Sequence, residues 1–297
     1  MGQDKEFFRG PHGGDVVMVS EDCENDDPGA CANKTLTQGS ELVGKVKCRC
    51  APTWTPAKIP NVRWLDPGHA PSRVLDGAGA AYVSLQDRGP LGFTLAQTDP
   101  AKRPGFGRTI NGKNVLDVNP AQYLELAQRV LAGDVGHVFA VVELDAALPG
   151  WHSVIAQCSA VDAKYWTHVG VYNGKAGAVA RNGGNGGTVP YGHTPLALGT
   201  PYILEWSSNG GAYELRVNGV LQAITYYQQV FPVGSWWALT PAADRLFLGA
   251  APLAGLPNNA AANMALGQVV IADTALPAAT ALKARDYLAA EYGVVLP

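Results

Sequence analysis

Apolar and polar residues alternate over residues 213–217, and this period of two predicts a strand with one buried face. Asn218-Gly219 follows, a pair that tolerates positive φ at both central turn positions and therefore predicts a type I′ hairpin turn. Residues 220–224 run back as a second strand, and residues 202–206 upstream form a third. Three such strands in succession form a meander, which indicates an antiparallel sheet with a solvated face.

The same kind of pattern predicts further strands at residues 62–66, 81–87, 138–144, 151–158, 166–172 and 267–272. The last segment differs, because residues 278–292 read as a helix. Pro277 stands at its start, where a missing N–H costs nothing, and Gly293 supplies a left-handed C-terminal cap. The pattern therefore indicates an all-β domain that ends in one helix.

Composition agrees with many short strands joined by turns. The 297 residues include 35 glycines and 21 prolines, about a fifth of the chain, and only 16% are charged. The apolar share of 47% is enough for a sizeable core. A formal net charge of −3 disfavours nucleic acid as a partner, since phosphate binding needs a basic face. No apolar run approaches the 18 residues of a membrane span.

Charge and proline content divide the chain in two. Residues 1–57 hold nine acidic and six basic side chains, whereas the remaining residues hold sixteen of each. Pro52, Pro56 and Pro60 mark a connector in which neither a helix nor a central strand can continue. We therefore predict a small β-rich N-terminal arm over residues 1–57 and one large β-domain over residues 58–297. The first residues lack the features of a secretory signal, so we expect no signal peptide.

The arm is too small to bury much core by itself and must be stabilised by disulfides, a metal, the larger domain or a partner protein. Its four cysteines leave free thiols, disulfides and a metal site open as interpretations, although their spacing is unlike common zinc sites. They are Cys23, Cys31, Cys48 and Cys50. Two short apolar strands are predicted to mediate assembly by strand pairing, through Val16, Val17, Val19, Leu42, Val43 and Val46.

Four stretches of the large domain resemble the concanavalin A-like lectin/glucanase superfamily, close to its laminin-G-like branch. They are VSLQDRGPLGFTLAQ with the later Arg103-Pro104, NGKNVL at 111–116, YELRVNGV at 213–220, and VVIADTALPAATALKARDYLAAEYG at 269–293. The resemblance implies an antiparallel two-sheet jelly-roll sandwich with a C-terminal helix. Leu85 and Asp117 depart from it, at places where the family often has Trp and Phe. We interpret both as packing differences.

Residues 37–47, TQGSELVGKVK, are similar to a segment of tailed-phage head decoration proteins. This resemblance implies a non-enzymatic virion structural protein, anchored by its arm and displaying a lectin-like domain. The expected partners are a major capsid or tail lattice protein and cell-surface glycans. We also expect a homo-oligomer, assembled into virions in the host cytoplasm. The alternative function is a free-standing bacterial carbohydrate-binding lectin.

Carbohydrate binding is the chemistry that the sequence supports best, because sugar C–H faces pack on aromatic rings. Adjacent aromatic residues in a strand point to opposite faces, so one of each pair must leave the core. Trp236-Trp237 lies between prolines in a predicted loop, where it is either exposed for recognition or packed at the edge of the sandwich. The candidate sugar-binding residues are Trp236, Trp237, Tyr226, Tyr227 and Trp151.

Catalysis has weaker support in the sequence. A glycosidase needs two paired carboxylates, and Glu143 with Asp145 is the only fragment of the glucanase pattern. The six histidines are scattered, and Cys158 lies in an apolar strand typical of a core residue. We expect no enzyme activity and no cofactor, with a glycoside hydrolase as the third hypothesis.

Overall fold

The chain divides into two compact units, residues 1–55 and residues 56–297. In this computed structural model the described residues are 8–9, 16–17, 34–38, 41–46 and 54–297, except 147–149, 160, 163–164, 184–186, 233, 235, 241 and 251–261. The first unit covers all but the last two residues of the arm. We call the second unit the body.

The arm contains two antiparallel strand pairs. Strand β1 (Phe8–Arg9) pairs with β2 (Val16–Val17), and β3 (Lys34–Gln38) pairs with β4 (Glu41–Val46). The strands carry the predicted assembly residues Val16, Val17, Leu42, Val43 and Val46. Val19 and the cysteines Cys23, Cys31, Cys48 and Cys50 lie outside the described residues, so the roles suggested for them stay predictions.

The body is built from antiparallel strands. In chain order they are β5 (Arg63–Leu65), β6 (Arg73–Leu75), β7 (Tyr82–Gln86), β8 (Thr94–Ala96), β9 (Thr109–Ile110), β10 (Lys113–Asn114), β11 (Leu116–Val118), β12 (Leu124–Leu126), β13 (Val135–Leu144), β14 (Trp151–Cys158), β15 (Tyr165–Tyr172), β16 (Lys175–Asn182), β17 (Thr188–Pro195), β18 (Pro201–Asn209), β19 (Tyr213–Val217), β20 (Val220–Leu221), β21 (Thr225–Gln229), β22 (Arg245–Leu248) and β23 (Met264–Ala272). Short 3-10 turns lie at Pro56–Lys58, Ala70–Ser72, Pro100–Lys102 and Trp237–Leu239.

Two large sheets form a sandwich. Sheet I has seven strands in the order β11-β23-β13-β18-β19-β20, with β5 also paired to β23. Sheet II has ten strands in the order β21-β17-β16-β15-β14-β22-β12-β8-β7-β6. The core lies between them and includes Trp206 of sheet I and Tyr82 of sheet II, both completely buried. Strand β21 is the edge strand at one end of sheet II, and the last three of its residues, 227–229, are exposed to solvent.

One helix, α1 (Ala278–Tyr292), covers the other face of sheet I. Its buried side chains include Tyr287, whose ring meets that of Trp64 edge to face, and Tyr292, whose hydroxyl accepts a hydrogen bond from the backbone N–H of Gln268. Gly293 ends the helix in the left-handed conformation, as predicted. Among the described residues, no helix is long and apolar enough to cross a bilayer.

The predicted fold class is confirmed: the body is an antiparallel two-sheet sandwich with a C-terminal helix. The turn at Asn218-Gly219 has φ of 49° and 83°, the positive values that a type I′ hairpin requires. The strand after it is shorter than predicted and stops at Leu221. Just beyond it the backbone N–H of Gln222 still donates to the carbonyl of Leu215, while the Gln222 side chain accepts hydrogen bonds from Thr194 on the other sheet.

Candidate functional site

Aromatic side chains collect on the outward face of sheet II, where β14 and β15 pair. Trp151 stands directly opposite Tyr172, and Cys158 stands opposite Trp166. Opposed residues of an antiparallel pair point to the same face of the sheet. Val169 and Val171, which alternate with these aromatic residues on β15, belong to the core between the sheets. The tryptophans and the tyrosine therefore face away from the core.

These rings touch one another in sequence. The ring centroid of Trp151 lies 4.7 Å from that of Tyr172 and 4.4 Å from that of His168. His168 in turn lies 4.9 Å from Trp166, edge to face. Such distances fall in the range where aromatic pairs attract beyond the area they bury. The contacts hold both indoles in fixed positions on the sheet.

Two tyrosines extend this set toward the edge of the sheet. The ring of Tyr172 lies 5.7 Å from Tyr191 of β17 and 6.1 Å from Tyr227 of the edge strand β21. The Tyr227 side chain is 66% exposed, whereas the neighbouring Tyr226 is half-buried and packs against the core. The alternation of faces along β21 thus sends one tyrosine outward and the other inward, as predicted for adjacent aromatic residues.

The outward rings border a cavity of about 170 Å³, which we call the aromatic groove. This volume is below the roughly 300–1,000 Å³ of sites that enclose drug-sized ligands, so the groove suits a single ring of a small ligand. Arg181 and Gln228 contribute polar groups to its lining. The side chains used below are Trp151, Trp166, Tyr172, Tyr227, Arg181 and Gln228.

His168 lies at the base of the aromatic groove and is fully buried. Burial lowers the pKa of its imidazole to about 3, so the ring is neutral at physiological pH. Its Nδ1 hydrogen-bonds to the hydroxyl of Ser153 on the paired strand. No partner for its Nε2 is present among the described residues. Neutral and enclosed, His168 acts as a spacer between Trp151 and Trp166.

Trp236 and Trp237 do not belong to this site. Their exposed fractions are 1% and 3%, and both belong to the core cluster. The Trp236 ring lies 5.9 Å from Tyr213 and 6.0 Å from Trp237. The interpretation of this pair as exposed recognition residues is wrong, because both indoles are buried in the core rather than exposed. The physical reason is that the 3-10 turn Trp237–Leu239 folds both indoles inward between the sheets.

The two suspected catalytic carboxylates, Glu143 and Asp145, lie at the end of β13 in sheet I, whereas the groove lies on sheet II. Arg108 Nη2 lies 2.6 Å from Glu143 Oε1 and 2.5 Å from Asp145 Oδ1, and Nη1 lies 3.2 Å from Asp117 Oδ1. The hydrogen bonds that Arg108 donates to Asp145, and then to Glu143 and Asp117, raise the pKa of the guanidinium above its usual range. The carboxylates are thus held by one cation rather than by each other.

Other reactive groups are enclosed. Cys158 is buried on the outward face of β14 beneath Trp151 and Trp166, and burial raises the pKa of its thiol well above the usual range. Such a thiol is not a nucleophile at neutral pH. Within the described ranges, no group of three or more His, Cys, Asp or Glu side chains could hold a metal ion.

Sequence reasoning found Trp151 and Tyr227 but missed most of the residues around them. Trp166, Tyr172, Tyr191, Arg181 and Gln228 were not singled out. One local signal could have found two of them, because Trp166, His168 and Tyr172 recur at even spacing along one strand. Arg181 carries no such signal, since only its pairing opposite Trp166 brings it into the groove.

No protein-family model matches the chain, and a search of curated proteins gave no match. Solved structures similar to it include the CBM40 of Ruminococcus gnavus IT-sialidase bound to alpha2,3 sialyllactose, at 15% identity, 60% of this chain, 96% of that chain and a TM-score of 0.48. A leech intramolecular trans-sialidase is 16% identical over 62% of this chain and 28% of that chain, with a TM-score of 0.46. NanB sialidase from Streptococcus pneumoniae is 14% identical over 55% of this chain and 28% of that chain, with a TM-score of 0.40. At these values the chain is assigned to no family.

Proposed function

We propose that the body is a non-enzymatic carbohydrate-binding β-sandwich whose ligand lies in the aromatic groove. One observation supports this most: the rings of Trp151, Trp166, Tyr172 and Tyr227 border one groove that also contains a guanidinium and an amide. Aromatic rings accept the C–H face of a sugar, and a few placed polar groups then fix its hydroxyls. This combination fits a sugar better than a purely apolar ligand.

The site supports binding rather than hydrolysis. A glycosidase needs an acid and a second carboxylate on opposite sides of the scissile bond. The described residues that line the aromatic groove include no carboxylate. Glu143 and Asp145 lie on sheet I and are both paired with Arg108. The proposal is therefore a binding module that does not turn its ligand over.

The test is a glycan array followed by titration of the best ligand into the full chain and four variants. We expect Trp151→Ala and Tyr227→Ala each to weaken binding about tenfold or more, since each removes a ring that covers the ligand. Tyr227→Phe keeps the ring and should retain most of the affinity. Leu221→Ala removes an exposed apolar side chain from sheet I and serves as the matched surface control. Unchanged binding by both ring-deleted variants would remove the groove from consideration.

We propose in addition that the arm attaches the body to a virion, through a major capsid or tail lattice protein. Two observations support this role: the arm is a compact unit separate from the body, and its β3–β4 hairpin contains the segment similar to decoration proteins. Hairpin strands of this kind can pair with the edge of a partner sheet.

This attachment is tested with a fragment that lacks residues 1–57. Light scattering should show a homo-oligomer for the full chain and a folded monomer for the fragment, and only the full chain should join particles. Monomers in both cases, or particles that still incorporate the fragment, would contradict the role of the arm and favour a free-standing lectin.

A further inference from the structure

We infer that the aromatic groove takes a saccharide that carries an anionic group, a carboxylate or a sulfate. This inference rests on the proposed function and names the class of its ligand. Five neighbouring strands of sheet II, β21-β17-β16-β15-β14, form the face on which the groove lies. Their sequences are TYYQQ, TVPYGHTP, KAGAVARN, YWTHVGVY and WHSVIAQC. They contain one lysine and one arginine but neither aspartate nor glutamate.

Strands β5 to β8, β22 and β23 also lack aspartate and glutamate, but the described residues that line the aromatic groove combine Arg181 with no acidic side chain. Residues 58–297 hold sixteen acidic and sixteen basic side chains, so the body as a whole is formally neutral. The acidic side chains are therefore placed on other strands, loops and the helix. Asp244, just before the next strand β22, lies close enough to Cys158 that, after burial, its charge helps to raise the pKa of that thiol. The strand that carries Arg181 and Lys175 and its two neighbours β15 and β17 hold no carboxylate of their own, so that part of the face attracts anions and repels cationic ligands over the range of a Debye length.

The arginine is placed where a bound sugar would meet it. Arg181 stands directly opposite Trp166 across the β15–β16 pair, and both line the groove. A guanidinium presents its N–H groups in a planar fork that matches a carboxylate or sulfate with two parallel hydrogen bonds. The ligand would thus place its ring against the aromatic side chains and its anionic group against Arg181.

The lysine adds positive charge at the other end of the same strand. Lys175 stands opposite Tyr172, and its Nζ lies 5.7 Å from the ring centroid of Tyr191. It lies six positions before Arg181, which corresponds to roughly 20 Å along a strand. The two cations therefore lie at opposite ends of the aromatic set, so a ligand with more than one anionic sugar can meet both.

The experiment uses the full-length chain and compares pairs of ligands that share a sugar backbone and differ in whether it carries an anionic group. Oligogalacturonate is compared with its methyl ester, and dextran sulfate with dextran, by titration calorimetry at low and at high salt. We expect each charged ligand, or one of the two, to bind at least about tenfold more tightly than its neutral partner, with the preference reduced by salt. The ligand pair that shows the preference identifies the carboxylate or the sulfate as the anionic group.

Variants locate that preference. Arg181→Gln should abolish most of it, while Arg181→Lys, which keeps the charge but loses the fork, should retain part. Lys283→Gln removes a charge from the exposed surface of α1 and should leave the preference unchanged.

Three results would overturn the inference, and they separate it from the proposed function. Equal affinity for charged and neutral ligands, still lost in Trp151→Ala, would refute the anionic class but keep the groove as a sugar site. A charge preference that survives both Arg181→Gln and Trp151→Ala would place binding elsewhere and refute both. Binding of none of the four ligands, together with an empty glycan array, would also refute both.

Discussion

Gly177 and Trp151 lie so close that a Cβ atom at position 177 would stand 3.1 Å from Cη2 of the indole. The two residues are on different strands, β16 and β14, with β15 between them. Because glycine has no side chain, the Trp151 ring can lie across β15 and reach the backbone of β16. The aromatic groove therefore depends on a residue that has no side chain.

Gly177→Ala should weaken glycan binding several-fold with little loss of stability. The φ of Gly177 is not positive, so alanine is acceptable to the backbone. The methyl group would meet the Trp151 indole at 3.1 Å and the backbone oxygen of Pro190 at 3.3 Å, and of these two the side chain moves more easily than the backbone of a paired strand, so we expect the indole to shift. Titration of the best glycan and the tryptophan emission spectrum would both report this shift. Gly77→Ala is the control, because a Cβ there meets nothing within 4 Å. Equal affinities in the two variants would contradict the prediction.

Trp236→Ala should destabilise the fold rather than act on the ligand directly. The side chain is 1% exposed and packs against Tyr213 and Trp237, so its removal leaves a large cavity in the core. We expect a loss of about 3–5 kcal/mol in the free energy of unfolding, measured by urea denaturation. Tyr227→Ala, at an exposed position, should change stability by only about 0.5 kcal/mol. A stable Trp236→Ala protein with impaired binding would restore the exposed interpretation.

His168 should make the protein less stable in mild acid. Its pKa is about 3 in the folded state because of burial and near 6.5 when unfolded, so between these values the unfolded state binds the extra proton. The contribution of neutral His168 to the free energy of unfolding is therefore fully present above about pH 6.5 and decreases as the pH falls toward 3. Between pH 7 and pH 5 the decrease amounts to about 2 kcal/mol.

Urea denaturation at these two pH values tests the effect with a matched pair of variants. Between pH 7 and pH 5, His168→Asn should lose about 2 kcal/mol less of its free energy of unfolding than the unmodified protein loses. His193→Asn alters an exposed histidine and should behave like the unmodified protein. An identical pH dependence in all three proteins would show that His168 is not the responsible group.

Arg108→Gln should destabilise the body without affecting glycan binding. It removes the cation that, among the described residues, holds Asp117, Glu143 and Asp145, and hydrogen bonds to charged groups contribute about 1.5–3 kcal/mol each. Glu143→Gln should likewise leave the affinity unchanged, because Glu143 lies on sheet I while the groove lies on sheet II. Denaturation and glycan titration measure the two effects. A glycan hydrolysis activity that disappears in Glu143→Gln would instead support the hydrolase hypothesis.

The sequence by itself determined the local structure of the body. The alternation over residues 213–217 correctly predicted a strand, and the pair Asn218-Gly219 correctly predicted the turn after it. The helix that Gly293 ends was predicted correctly as well. These features depend on backbone preferences and on a period of two or 3.6 residues, which neighbouring residues specify. Even the opposite faces of Tyr226 and Tyr227 followed from adjacency in a strand.

Tertiary structure decided which strands are neighbours and which face meets the core. Trp151, Trp166 and Tyr227 come from three strands, yet the pairing of sheet II brings them to one groove. The same packing enclosed Trp236 and Trp237, for which the sequence had left both exposure and packing at the edge of the sandwich open. Pairing between distant strands depends on burying the whole core at once, so no local pattern specifies it.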